Sequence, residues 1–261
     1  MSNVRLHMTR IKSRRLQKGN PHQITIRQHV LPRRSIARFV GKGAKVEVRR
    51  FNVAGIIRLS ADNEMFCANR AWDQRAETGY SRPIEIAFQR LADSLLAGKI
   101  ALDEGDHLTV LRFWALWRLR AEARVNPISP AKLRGVHEAR EFSLPEQEVL
   151  ESKHVAYVEN GNEIPSHILT GLRIQVQIDR LTATPILWGL IHSPDCEFIV
   201  PDTVGTIGFV PLSPSCALLA KHTDRIVAVE ESRQINQALR EAATDYVFAK
   251  NLSRALGSGA T

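Results

Sequence analysis

The sequence predicts an α+β fold, a mainly helical single domain with a small C-terminal β-sheet. Three observations carry that expectation. Apolar residues recur at helical spacing through 84–95 and 108–123. From Pro185 the chain changes to short apolar segments separated by proline and glycine. After residue 235 the helical period returns.

Residues 1–20 read as a basic arm, with Arg10, Lys12, Arg14, Arg15 and Lys18 closely spaced before the breaker Gly19-Asn20-Pro21. Residues 21–261 are expected to form one globular domain. Gln23–Pro32 is a short extended segment closed by proline, and Arg33–Phe39 has room for one or two helical turns. Lys45–Phe51 alternates polar and apolar side chains, which predicts a strand. Asn63–Glu77, where the basic region gives way to the helical body, is read as a helix. Ile84, Ala87, Phe88, Leu91, Ala92 and Leu95 make the next helical face, which stops at Gly98.

Asp106 is expected to cap a helix over Leu108–Ala123 that is apolar nearly all round and therefore central. Arg112, Arg118 and Arg120 interrupt it, so an arginine is held inside and must be paired. Ser143-Leu144-Pro145-Glu146 has capping-box spacing and opens another helix. Residues 166–181 fit both periods, and a helix is preferred. Strands are expected over Ile186–Ile191, Glu197–Val200, Thr206–Val210 and Ala217–Leu219. A last helix runs through Ile235, Leu239, Ala242, Tyr246 and Val247, with Gly257 past its end.

Composition bounds the class. The 261 residues are 44% hydrophobic and 24% charged, ordinary for a globular chain. The longest apolar run, Ile186–Ile191, is far too short to span a bilayer, so no membrane partner is expected. Met1–Arg15 lacks the apolar stretch of a secretory signal. Cys67, Cys196 and Cys216 form no Cys-x-x-Cys pair, which points away from a disulfide framework or thiolate zinc site and towards a reducing, cytoplasmic compartment.

Charge is segregated. Residues 1–58 hold 15 of the 36 Lys+Arg and the lone acid Glu47, a local balance of +14 against +9 for the whole chain. An excess confined to one quarter is the electrostatic footprint of a surface for nucleic acid or another polyanion. Arg10, Lys12, Arg14, Arg15, Arg33, Arg34 and Arg38 are the candidate contacts. A solvated tail that aids solubility is the plainer alternative.

Several phrases, taken together and in order, resemble the domain-of-unknown-function family 4238. Gln28–Phe39 resembles its His-x-x-Pro…Leu-x-x-Phe opening, Glu85 its following glutamate, and Trp117-Arg118-Leu119-Arg120 its arginine-bearing helix. Phe198–Val204 is similar to its Phe-Ile-x-Ser-Asp-Asn-Pro motif, keeping Asp202 while Pro201, Thr203 and Val204 stand where the family has Ser, Asn and Pro. Val210-Pro211-Leu212-Ser213-Pro214 matches a Pro-Leu-Ser-Pro element, and Asn236 with Ala243–Ala249 resembles the family's ending. The resemblance implies a bacterial protein and supplies no activity.

His29, Glu85 and Asp202 are the candidate catalytic residues, each at the end of an expected element where a side chain can face a cleft. As a helix, Asn63–Glu77 sets Asp73 and Glu77 one turn apart, a spacing that suits a divalent metal such as magnesium. The same acids could simply pair Arg70, Arg75, Arg118 and Arg120. Nothing has the spacing of His-Glu-x-x-His, a phosphate loop or a nucleophile elbow. The expected activity is a metal-dependent phosphodiester hydrolase of a bacterial defence or toxin type, acting on nucleic acid. The alternative is a non-enzymatic binding module whose acid–arginine network holds the fold. Convergence of His29, Glu85 and Asp202 favours the first, and arginine pairing favours the second.

Overall fold

The computed structural model describes residues 15–99, 101–135, 140–159 and 161–257. Of the basic arm, Arg10, Lys12 and Arg14 lie outside the described residues, and Arg15 is exposed. The next segment is tied down by Gln17, whose backbone and side-chain N–H groups donate to Glu148 at 2.6 and 2.9 Å. Strand β1 (Arg27–His29) stops before Pro32, which cannot donate to a ladder and instead caps helix α1 (Arg33–Ala37). Strands β2 (Val46–Arg50) and β3 (Ile57–Leu59) form a hairpin whose tip, 51–56, is exposed throughout.

The Asn63–Glu77 stretch is not one helix. Asn63 caps a single tight turn (Glu64–Phe66), and strand β4 (Cys67–Asn69) then pairs antiparallel with β1, setting Cys67 opposite His29. Arg70 adopts a left-handed φ of 48°. Helical geometry starts only at Arg75, in a π-helical turn (Arg75–Ser81) that runs directly into α2 (Arg82–Leu96). Three residues that close a ladder with a distant strand carry no local mark, so the helical reading was the natural one.

Helix α3 (Glu104–Val125) starts earlier than expected because Asp103 is its cap, while Asp106 returns the second bond of the capping box. A ribbon joins β5 (Ala131–Lys132) to β6 (Glu163–Ile164), with α4 (Leu144–Ser152) between them opened by the expected Ser143–Glu146 box. Residues 166–181 are helix α5 (Ser166–Leu181). Ile168, Ile174 and Ile178 are buried there while Val176 is exposed, which is the helical period and not the strand one.

The C-terminal third supplies β7 (Trp188–His192), β8 (Val200–Pro201), β9 (Phe209–Ser213), β10 (Cys216–Ala220) and β11 (Arg225–Ile226). Helix α6 (Val229–Ala242), strand β12 (Tyr246–Ala249) and helix α7 (Leu252–Leu256) follow. The expected last helix therefore ends at Ala242, and Tyr246 and Val247 belong to a strand. All four residues of β12 are buried, and a fully apolar run reads alike in helix and strand. One four-stranded sheet has the order β11-β7-β10-β9, and a second has the order β3-β2-β12-β8. The second sheet joins the basic N-terminal quarter to the C-terminus through β2 and β12, with Arg50 opposite Tyr246.

Buried apolar residues from Val30 to Ala255 form one continuous cluster. Helix α3 runs through it, packed on α2, α5 and β9. Phe113 stacks on Phe88, Trp114 donates its indole N–H to the Ile207 carbonyl at 2.8 Å, and Trp117 is 1% exposed. Trp117→Ala is expected to cost about 3–5 kcal/mol by denaturant melt, from lost burial and the cavity left behind. A cost under about 1 kcal/mol would place α3 at the periphery.

Candidate functional site

The buried arginine on α3 is Arg120. It enters the core from an otherwise apolar helix, and its guanidinium is met from three elements. Nη1 donates to Glu85 Oε1 at 2.6 Å and to the His29 carbonyl at 3.2 Å. Nη2 donates to Glu77 Oε2 at 3.1 Å. The indole N–H of Trp72 donates to that same oxygen at 2.6 Å, and the Arg120 guanidinium carbon lies 5.1 Å from the Trp72 ring. The π-helical turn places Glu77 and the first turn of α2 places Glu85, so the two acids approach one cation from neighbouring turns.

Two carboxylates sharing one buried guanidinium leave an excess of negative charge. Burial pushes the Glu85 carboxyl above its usual range; Arg120 opposes the shift and Glu77 adds to it. His29 hydrogen-bonds the Ala61 carbonyl through Nε2 at 3.2 Å. Burial depresses its pKa, opposed by that bond and by Glu77, and assisted by Arg120 and Arg33. His29 and Glu85 thus share Arg120, one of them through its backbone.

Asp202 is not part of this cluster. Its carboxylate accepts from the backbone N–H groups of Thr244 and Asp245 at 2.8 and 3.0 Å, closing the turn between α6 and β12. Burial raises its pKa against those two bonds. Asp73 belongs to a third network. It accepts from the Ala76 N–H at 3.1 Å and lies 3.8 Å from Arg75 Nε. It also packs so closely on α5 that a Cβ on Gly171 would come within 2.0 Å of its oxygen. Beside it, Arg70 pairs with Glu151, both fully buried, and His167 Nε2 lies 3.4 Å from that carboxylate. His167 and Arg70 hold the Glu151 carboxyl below its usual range in spite of burial.

The metal expectation does not fit these donors. Magnesium or calcium needs several oxygens around one point, yet Asp73 turns to Ala76 and Arg75 while Glu77 turns to Trp72 and Arg120. Among the described residues no three His, Cys, Asp or Glu side chains gather as a ligand set.

The basic candidates divide. Arg34 and Arg38 both pair with Asp93 on α2, so they fasten α1 to that helix instead of facing solvent unpaired. Arg15 and Arg33 are exposed, as are Lys18, Arg27, Lys42 and Lys45, and among the described residues these six carry no ion pair. Sequence reasoning missed Glu151 and His167. The available sign was an acid in the last turn of α4, where the helix dipole disfavours it unless a cation is near.

No family model, curated protein or solved structure matches the chain. Among the described residues no helix is long and apolar enough to cross a membrane.

His29 and Glu85 have opposite linkage to stability. Because the folded pKa of His29 is depressed, the unfolded chain takes up that proton first as pH falls below 6.5, and stability drops. Glu85 is raised, so the folded chain is favoured on the acid side and stability is lost as pH rises above 4.5. His29→Gln removes only the first effect. Urea melts between pH 7 and pH 5, about the His29 range, are expected to show a shallower loss for the variant than for the parent. Parallel pH profiles would mean that His29 titrates alike in both states.

Proposed function

We propose that this protein binds nucleic acid or a related polyanion as a non-enzymatic module, and that its acid–arginine networks hold the fold. One observation carries this. The acids nominated for chemistry are all engaged internally, Glu77 and Glu85 by Arg120 and Asp202 by two backbone amides. Among the described residues the N-terminal quarter also has six exposed cationic side chains that make no ion pair, two of which, Arg27 and Arg33, lie within electrostatic reach of the exposed Asp62 carboxylate. Uncompensated surface cations are the groups that release counterions from a phosphate backbone. A cytoplasmic setting and kinship with family 4238 belong to the same proposal and add no activity.

The hydrolase is the second reading, and its support is the meeting of His29 and Glu85 on Arg120. Displaced pKa values beside a shared cation also occur in active sites. Without Asp202 it would rest on those two groups.

Both readings meet one experiment. The full chain, titrated with labelled duplex DNA and with RNA over a salt series, is expected to bind with a log–log slope of about −0.9 per phosphate neutralised on the duplex. Deleting residues 1–15, which spares the Gln17 bonds to Glu148, is expected to weaken binding and flatten the slope. Incubation with magnesium should leave the strands intact. Cleavage that is lost in Glu85→Gln would favour the hydrolase, and absence of binding at low salt would remove the polyanion reading altogether.

A further inference from the structure

The β2–β3 hairpin leans over the last turns of α6, and between them lies an open cleft of about 730 Å³. Three arginines line it, Arg49, Arg50 and Arg240, against the carboxylate of Glu241. That carboxylate already accepts from the Gln237 amide at 2.7 Å. Arg50 is held in place by Asp245, whose two oxygens lie 3.1 and 3.3 Å from Nη2. Arg240, half-buried in the last turn of α6, carries no ion pair among the described residues. The lining of the cleft therefore carries more cationic than anionic side chains, with Arg50 matched by Asp245 and Arg240 the cation that makes no ion pair among the described residues.

Its rim is of a different kind. Phe51 is 42% exposed and Val53 47% exposed, both at the hairpin tip that borders the cleft. The fold left these side chains outside a core that absorbs Phe39, Phe66 and Phe248. A ring left in water beside guanidinium groups matches one ligand chemistry well. Phosphates sit on the cations while an unpaired base stacks on the ring, a contact tolerant of sequence because every base has a π-face. A duplex keeps its base faces covered and cannot use the ring. The volume falls within the range of clefts that hold small ligands, and the lining is too polar for an apolar one.

We propose that this cleft seats single-stranded nucleic acid, with Arg240 taking backbone phosphate and Phe51 the face of a base. The proposal rests on the polyanion reading above and adds to it a place and a strand preference. It also accounts for the position of the basic quarter in the fold, since β2 delivers Arg49, Arg50 and Phe51 to the edge of α6 by pairing with β12.

The test is fluorescence anisotropy of the full chain with a labelled single strand of about twelve nucleotides, and with its duplex. Phe51→Ala is expected to weaken single-strand binding roughly tenfold and leave duplex affinity unchanged. Phe51→Trp should restore binding and show quenching of the new indole on titration. Arg240→Gln should weaken binding and lower the salt slope by about 0.7 on the single strand. Both positions lie at the surface or its edge, so melting temperatures should match the parent. Salt-dependent binding by the parent that neither variant alters would overturn the cleft and leave the polyanion reading standing. Failure of the parent to bind any strand would overturn both. Phe51-dependent binding to phosphatidylserine vesicles without binding to oligonucleotide would assign the hairpin to a membrane surface instead.

Discussion

Much of this structure depends on how one buried cation is satisfied. Arg120 lies on the face of α3 that the core claims, so the guanidinium cannot reach water. An unpaired charge there would cost several kcal/mol, more than most single contacts return. The fold meets that demand with Glu77, Glu85, the His29 carbonyl and the Trp72 ring. Each partner comes from a different local structure: the end of β1, the loop after β4, the π-helical turn and the start of α2. Pairing Arg120 therefore fixes how the N-terminal quarter docks on the helical body. The unusual π-helical turn is where that geometry is absorbed, since it carries Glu77 into reach and hands the chain on to α2.

The same logic recurs twice on a smaller scale. Arg70, Glu151 and His167 form a buried set that ties α4 and α5 to the loop after β4. Asp202 pins the turn that lets the chain leave α6 and enter β12 as the partner of β2. Three groups of ionisable residues thus sit at three junctions between elements, where irregular backbone leaves polar groups to be satisfied. Residues at the ends of elements are the usual raw material of active sites, and they are equally the raw material of junctions. The partners decide which of these they are.

That ambiguity marks the limit of what the sequence could say. Helix α2 was legible from an apolar stripe at a period near 3.6, α3 from its long apolar run and α4 from the Ser143–Glu146 box, whereas the α5 segment fitted both periods. An internal arginine on α3 was legible from charge inside an all-round apolar helix. The ladder between His29 and Cys67 was not, because three-residue strands leave no periodicity. Nor was β12, whose buried Tyr246–Ala249 run looks alike in either period. Of the three residues singled out at element ends, Glu85 and His29 share Arg120, whereas Asp202 belongs to another junction. The pairing of Arg34 and Arg38 with Asp93 was not legible either, since that partner lies more than fifty residues away. The cleft between the β2–β3 hairpin and α6 could not be foreseen either, since its walls lie nearly two hundred residues apart.

The claim that Arg120 and its acids are structural is open to a direct thermodynamic test. Arg120→Met alone strands two half-buried carboxylates, whereas Arg120→Met with Glu77→Gln and Glu85→Gln removes the charges together. Denaturant melts at neutral pH are predicted to show a loss of about 3–5 kcal/mol for the single change and recovery of most of it in the triple. A single change costing under about 1 kcal/mol, or a triple variant no more stable than the single, would contradict the account.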